Sequence, residues 1–264
     1  MRSNKVLDQV SKIEDMEIQL TKFNSKRALS KIDKRLEVRK IGNCSLIYEP
    51  NSPNSIYYNR VKGFGMKDID KLDQILDIYR EQNIIPCFDM TPNNINGEVS
   101  TALFNHGYTV FEQLAFMQVI PKVYEGSINE IDIVEVTKEN AEEFVNIVIE
   151  SNGGMDIDAS VIKRKAPYFY KPNFYNFISY IGGKVAGIGS LFINNKEGYI
   201  ANDYSFKDFR EKGSQKALLM YRINKAKELG LEKLYTDVEF GSISHNNMQK
   251  LGLETVFVNS YWTK

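Results

Sequence analysis

Residues 208–219, DFREKGSQKALL, place positive charge and a glycine where a strand-like stretch, GYIANDYSF, turns into an apolar helical pattern. The first turn of a helix presents unpaired N–H groups and about half a positive charge from the helix dipole. Gly213 has no side chain to obstruct an anion that approaches the backbone. The N–H groups of residues 211–216, with the charges of Arg210 and Lys212, therefore predict a concave site for a phosphate or pyrophosphate group.

The elements around this stretch form a series that begins at Ile131 in the order β, α, α, β, β, β, α, β, α, β. Gly-Gly and Asn-Lys pairs separate the three consecutive strands and indicate hairpin turns. A long helix over residues 212–229, a strand, a short helix ending at Gly252 and a last strand follow. The pattern predicts an antiparallel meander that gives way to one crossover helix.

The part of the chain before Pro121 has its own pattern. Apolar side chains recur near helical spacing over residues 4–32, and short strands and helices follow from about residue 36. Pro121 opens a polar segment, PKVYEGSINE, with few residues suited to a core. We therefore predict two domains, residues 1–121 and 122–264.

The composition is that of an ordinary globular protein. The 264 residues are 42% hydrophobic and 26% charged, and 34 Lys and Arg balance 34 Asp and Glu. A nucleic-acid binder usually needs a basic field, so this class is not expected. The first 41 residues carry eleven Lys and Arg against six Asp and Glu, an excess of five. A helix docked by its apolar stripe explains this segment best, while a basic arm for nucleic acid or anionic lipid is the alternative.

Neither a signal peptide nor a membrane-spanning run is evident, and Cys44 and Cys87 share no metal or redox spacing. We expect two free buried thiols, no metal, no membrane association and a reducing, cytoplasmic location. The sequence leaves the oligomeric state open.

Two motifs resemble the GNAT family of N-acetyltransferases. The central family motif is Arg or Gln, two residues, Gly, one residue, then Gly or Ala. Residues 210–215 read REKGSQ, which departs at the last place, but a branch of the family carries G-x-Q-x-A-L-L, as residues 213–219 do. That branch ends S-x-x-N-M-x-R-x-G-F, and the corresponding residues here are Ser244, Asn247, Met248, Lys250, Gly252 and Leu253.

The first half also resembles this branch, which opens with a degenerate copy containing N-R-V-x-G-x-G. The matching residues are Asn59, Arg60, Val61, Gly63 and Gly65. The resemblance implies an α/β (α+β) fold with two GNAT-like halves, in which mixed, largely antiparallel sheets are flanked by helices. The first half has no counterpart of residues 209–219, so one cofactor site is expected rather than two.

The resemblance implies that the anion is the pyrophosphate of acetyl-coenzyme A. The strand around residues 204–206 is expected to separate from KLYTDVEF, so that its backbone pairs with the pantetheine arm and a main-chain N–H polarises the thioester carbonyl. The expected cofactor contacts are Tyr204, Ser205, Phe206, Arg210, Glu211, Lys212, Gly213, Ser214, Gln215, Lys216, Ala217, Ser244 and Asn247.

The residues for proton transfer are less evident. Many family members carry a tyrosine where this chain has Met248, and Tyr261 is a candidate substitute for the acid. A thiol has a pKa near about 8.5, so a thiolate can leave with little help. For the base, Asp203 and Glu239 lie near the ends of the two strands that should separate, and Asp203 is preferred. Neither histidine is given a role.

The resemblance implies an acetyl-coenzyme A-dependent N-acetyltransferase that acts on a small-molecule or protein amine by direct attack in a ternary complex. A non-catalytic coenzyme A-binding or interaction module is the alternative. A third reading is a tandem transferase of the peptidoglycan aminoacyl type. The loop GGMDIDAS and nearby aromatics are expected to shape the acceptor side, and these residues are Asp156, Asp158, Tyr168, Phe169, Tyr170 and Tyr175.

Overall fold

A computed structural model describes residues 5–126 and 130–264, and its described strands form one mixed, mostly antiparallel sheet. The eleven strands lie in the order β1-β2-β3-β4-β11-β5-β10-β9-β8-β7-β6. Their bounds are β1 Glu37–Ile41, β2 Cys44–Tyr48, β3 Arg60–Lys62, β4 Cys87–Met90, β5 Thr109–Val119, β6 Ile131–Glu135, β7 Phe174–Ile181, β8 Lys184–Asn194, β9 Glu197–Ser205, β10 Lys233–Glu239 and β11 Glu254–Thr263.

Helices cover both faces of this sheet. Their bounds are α1 Lys5–Arg27, α2 Leu72–Glu81, α3 Gly97–Asn105, α4 Ala141–Ser151, α5 Ala159–Lys165, α6 Ser214–Glu228 and α7 Ile243–Lys250. The predicted mixed α/β architecture is confirmed. In the part of the chain that the structure describes, no helix combines the length and apolar character needed to span a bilayer.

The two halves of the chain exchange strands. β5, from the first half, lies between β10 and β11, and β11, from the second half, lies between β4 and β5. Thr255 of β11 is thus opposite Met117 of β5, while Ser260 is opposite Met90 of β4. The halves therefore build one sheet rather than a sheet each. The boundary predicted near Pro121 lies in the β5–β6 connection, of which residues 127–129 are outside the described part.

A parallel strand pair occurs in each half. β3 pairs with β4, and β9 pairs with β10, while the other neighbouring strands are antiparallel. The shared arrangement agrees with the prediction that the first half repeats the later part of the second.

The N-terminal helix α1 docks on the sheet by its apolar stripe, as the sequence predicts. Val10, Ile13 and Leu20 are buried against side chains of the exchanged strands, including the stacked rings of Phe116 and Phe257. Residue 4 of the predicted helix lies outside the described part. Because α1 packs on β8, β9 and β11 and shares a core cluster with Phe116 of β5, it contacts both halves.

Helix α6 packs on the opposite face of the sheet. Its residues Leu218, Leu219 and Ile223 are buried with the apolar side chains of α7 and of β5 and β10. This packing fixes the position of the N-terminus of α6 relative to the strands before and after it.

Candidate active site

A gap between two parallel strands lies beside the N-terminus of α6. β9 and β10 pair only from Glu197 opposite Lys233 to Tyr199 opposite Tyr235, although both strands continue beyond these residues. A bulge in β9 at Asn202, which has φ +53°, shifts the register with β8. β10 remains paired with β5 as far as Glu239, beyond the point where its pairing with β9 stops. β9 and β10 therefore separate, as the sequence predicts.

The start of α6 leaves its first N–H groups without partners in the helix. Gly213 has φ +90° and precedes the first helical residue, with no hydrogen bond from a capping side chain. The N–H of Ala217 donates to the Gly213 carbonyl at 2.9 Å and begins the helical ladder. The N–H groups of residues 214–216 therefore lie in the first turn, where a helix has no acceptor for them.

A cleft of about 860 Å³ extends from this turn along β9 and α7. Ten of the thirteen residues predicted to contact the cofactor line it, namely Tyr204, Ser205, Arg210, Glu211, Gly213, Ser214, Gln215, Lys216, Ser244 and Asn247.

Three predicted contacts lie beside this cleft rather than in its lining. The N–H of Phe206 donates to the carbonyl of Ala186 at 3.0 Å, and Ala217 is on the buried face of α6. The Lys212 ammonium lies 5.3 Å from the ring centre of Phe209 and is exposed.

Gln215 connects the two sequence motifs. Its side-chain amide donates to Ser244 Oγ at 3.0 Å, and its carbonyl oxygen accepts from Asn247 Nδ2 at 3.1 Å. The start of α7 is thereby held against the start of α6. The neighbouring Ser214 is buried, with its hydroxyl 2.7 Å from that of Ser179.

Asp203 lines the cleft, but its carboxylate is engaged by a buried arginine. Both oxygens accept hydrogen bonds from the Arg222 guanidinium, which also donates to the Ser190 carbonyl. The arginine fits because position 189 is glycine, where an added Cβ would lie 2.8 Å from its guanidinium carbon. A carboxylate held in this manner has a structural role, whether or not it also accepts a proton.

The structure does not bring Tyr261 or Glu239 into this cleft. Tyr261 lines a cavity of about 200 Å³ with Arg60 that meets the gap at Tyr199 and Asp237, and burial raises the pKa of its phenol well above the usual range. Glu239 lines a shallow pocket beside Val110. The exchange of β11 explains the position of Tyr261, because β5 separates β11 from the gap between β9 and β10.

Sequence reasoning missed Asp237, whose carboxylate lies in the gap. It follows the last paired residue of β10 by two positions and lines a cavity that Asp203 and Gln215 also line. The Tyr199 hydroxyl donates to its Oδ1 at 2.6 Å. The protein around the Asp237 carboxylate raises its pKa, although the residue is partly open to solvent and this hydrogen bond and the Arg60 charge oppose the rise. Side chains alternate between the two faces of a strand. This alternation along β10, beyond the point where β10 separates from β9, was the sequence signal that could have identified Asp237.

A second cavity, of about 730 Å³, meets the cleft at Asp203 and Tyr204. Phe169, from the predicted acceptor side, lines it, whereas Asp158 forms an exposed ion pair with Lys31 at 3.0 Å. The sequence did not indicate that α1 and residues 55–58 would form the other wall.

Comparison with known proteins agrees with this geometry. Residues 141–253 match the model of the acetyltransferase (GNAT) family. This chain carries a GNAT-family domain. The strands β1–β6 and β11 lie outside the matched range, as do α1, α2 and α3.

Solved structures with this GNAT fold align with nearly the whole chain. A GCN5-related N-acetyltransferase from Kribbella flavida has a TM-score of 0.69 at 14% identity, covering 96% of this chain and 94% of that one. A conserved protein of unknown function from Staphylococcus epidermidis gives 0.64 at 10% identity, covering 91% and 98%. A tandem GNAT protein from the clavulanic acid biosynthesis pathway gives 0.56 at 11% identity, covering 95% of both chains. At sequence identities of 10% to 14%, the structural similarity shows that the fold is shared. No curated protein matches this chain.

Proposed function

We propose that this GNAT protein transfers the acetyl group of acetyl-coenzyme A to an amine by direct attack in a complex that holds both substrates. One observation carries the proposal. The uncapped N-terminus of α6 opens into a cleft that reaches the gap between β9 and β10. An anion site and a separated strand edge are thus joined in one cavity system, as transfer from a phosphate-bearing carrier requires.

The residues at the start of α6 fit a pyrophosphate. The left-handed conformation of Gly213 allows the first N–H groups of α6 to converge on the cleft, where Arg210 and Lys216 add positive charge. Gln215, fixed by Ser244 and Asn247, would hold the wall on the α7 side. Acetyl-coenzyme A would supply an acetyl group activated as a thioester.

The backbone of β9 beyond Tyr199 would orient the acyl carrier, because its edge toward β10 is no longer paired there. A main-chain N–H near Tyr204 and Ser205 would polarise the acyl carbonyl, because the N–H of Phe206 is already bonded to Ala186.

Two carboxylates are candidates to accept the proton of the acceptor amine. Asp203 is the candidate from sequence, and its ion pair with Arg222 weighs against it. Asp237 has a raised pKa and lies in the gap itself, so its basicity suits the task better. We therefore propose Asp237 as the general base and Asp203 as a residue that holds β9 in place.

The test combines binding and turnover. Isothermal titration with coenzyme A should show binding, and thiol release from acetyl-coenzyme A should accelerate in the presence of a subset of an amine panel. Absence of coenzyme A binding at millimolar concentration would overturn the proposal.

A non-catalytic coenzyme A-binding module is the second candidate. It is favoured by the buried Met248, which occupies the place of the family's tyrosine, and by the ion pair of Asp203. Binding of coenzyme A without thiol release for any amine would support this candidate.

A further inference from the structure

Arg27 in the last turn of α1 lines the 730 Å³ cavity. Its Nε donates to Asn24 Oδ1 at 2.6 Å, and one terminal nitrogen donates to Asn202 Oδ1 at 3.0 Å. The guanidinium carbon lies 5.4 Å from the ring centre of Phe169 and 5.1 Å from that of Phe174. This cation is therefore fixed against the β9 bulge by neutral groups.

No carboxylate pairs with Arg27 among the ion pairs of the described residues, whereas the buried Arg60 pairs with Glu17 and Asp89, and the buried Arg222 with Asp203. Arg27 is half-buried, and this partial burial lowers its pKa, which reflects the cost of withdrawing part of this charge from water. Cations withdrawn from water in proteins are normally paired with an anion. The unpaired charge beside a large cavity thus favours an anionic group on the ligand.

The surroundings of Arg27 also indicate which other chemical groups the ligand has. Its contact Asn202 directly precedes Asp203, where the cavity meets the cofactor cleft. An amine a few bonds from a carboxylate held by Arg27 would therefore lie near the gap between β9 and β10. The cavity wall includes Phe144, Val148 and Ile188, which would accept an apolar side chain.

We infer that the acceptor is an amino acid with an apolar side chain, whose carboxylate Arg27 binds. This inference rests on the proposed acetyl transfer, since it names the acceptor class of that reaction. In this arrangement α1, which lies outside the matched GNAT domain, selects the substrate. A guanidinium suits the role because its planar fork matches a carboxylate.

Matched pairs of substrates test the inference in the full-length protein. Leucine is compared with 3-methylbutylamine, and phenylalanine with 2-phenylethylamine, by thiol release from acetyl-coenzyme A. We expect kcat/KM to favour the amino acid of each pair by about 10- to 100-fold, as loss of a charged hydrogen bond predicts. Arg27→Met should reduce this preference to near unity, and Arg27→Lys should retain part of it.

Arg80→Met is the matched control, because Arg80 is exposed on α2 and pairs only with Asp77 among the described ion pairs. It should leave the preference unchanged. Circular dichroism checks that each variant is folded. If Arg27→Met does not fold, the preference of the parent and its reduction in Arg27→Lys decide the question.

A second readout separates this inference from the proposed function. With coenzyme A present, leucine and phenylalanine should raise the melting temperature of the parent more than their amines do, and Arg27→Met should abolish the difference. Equal kcat/KM within each pair, or a preference that survives Arg27→Met, would overturn the inference while acetyl transfer stands. If no amine is acetylated, the proposed function fails, and the lack of an Arg27-dependent thermal shift would then overturn the inference as well.

Discussion

Arg222 donates hydrogen bonds to both carboxylate oxygens of Asp203. The arginine is fully buried in α6, while the Asp203 side chain retains 22% of its exposure at the edge of the cleft. This pair fixes the bulged part of β9 to the helix whose N-terminus forms the proposed phosphate site. The relationship therefore links the two walls of the cleft.

Asp203→Asn should lower the free energy of unfolding by about 2 to 4 kcal/mol, because it leaves a buried guanidinium without its anion. The double variant Asp203→Asn/Arg222→Met should lose less stability than the sum of the two single variants, since the unpaired charge is gone. Urea denaturation measures all four proteins. Unchanged stability of Asp203→Asn would contradict the structural role.

Asp237→Asn should reduce kcat/KM for an acceptor amine by about 10²- to 10⁴-fold without a comparable change in coenzyme A affinity. In the parent, kcat/KM should rise with pH over a range above that of an ordinary aspartate, because the pKa of Asp237 is raised by the protein around it. Asp203→Asn, measured in parallel, identifies the base. A greater loss in Asp203→Asn, largest at low pH where amines are protonated, would return that role to Asp203.

Gly213→Val should weaken coenzyme A binding by more than about tenfold, because a branched side chain would stand in the phosphate site and resist a positive φ. Gly230→Val is the matched control. Gly230 follows the opposite end of α6 with φ +71° and has open space around it, so the substitution strains the backbone without touching the cleft. Titration calorimetry compares the two. Equal affinity in a folded Gly213→Val protein would contradict the proposed site.

Arg210→Ala should have a smaller effect on coenzyme A binding than Gly213→Val, since it removes charge but leaves the N–H groups of α6 in place. The loss should also shrink as salt is raised, because Arg210 is exposed and its charge is screened. Titrations at two salt concentrations measure this. An effect independent of salt would indicate a structural role for Arg210. Its Nε lies 3.5 Å from the carbonyl oxygen of Ser205.

Glu14→Gln should stabilise the protein at pH 8 but not at pH 4. Burial raises the pKa of Glu14 to about 7, with the Lys62 charge partly opposing the rise. Between pH 4.5 and 7 the folded state therefore binds more protons than the unfolded state, so this residue's contribution to stability falls as pH rises. The gain at pH 8 should reach about 2 to 3 kcal/mol in urea denaturation. A gain of the same size at pH 4 would rule out ionisation as its cause.

A fragment of residues 122–264 should not unfold cooperatively on its own. Its β10 and β11 are separated by β5, so removing the first half exposes both strand edges and much of the core under α1. Circular dichroism and urea denaturation would show this, and co-expression with residues 1–121 should restore a cooperative transition. A stable, monomeric fragment would support residues 122–264 as an independent domain.

The sequence by itself determined the features that depend on neighbouring residues. The charge, glycine and helical pattern of residues 208–219 predicted the uncapped start of α6, since turn conformation and helix ends follow from local side chains. The motif at Ser244 and Asn247 located the second wall of the cleft, and apolar spacing predicted the docking of α1.

Only the tertiary structure decided which distant segments meet. Strand exchange pairs residues far apart in the chain, such as Gln118 with Tyr235, and hydrophobic alternation does not specify a strand's partner. This exchange removes Tyr261 from the cleft. The same long-range packing pairs Asp203 with Arg222 and brings Arg27 to the acceptor cavity, because a side chain's charge gives no indication of the group that will lie opposite it.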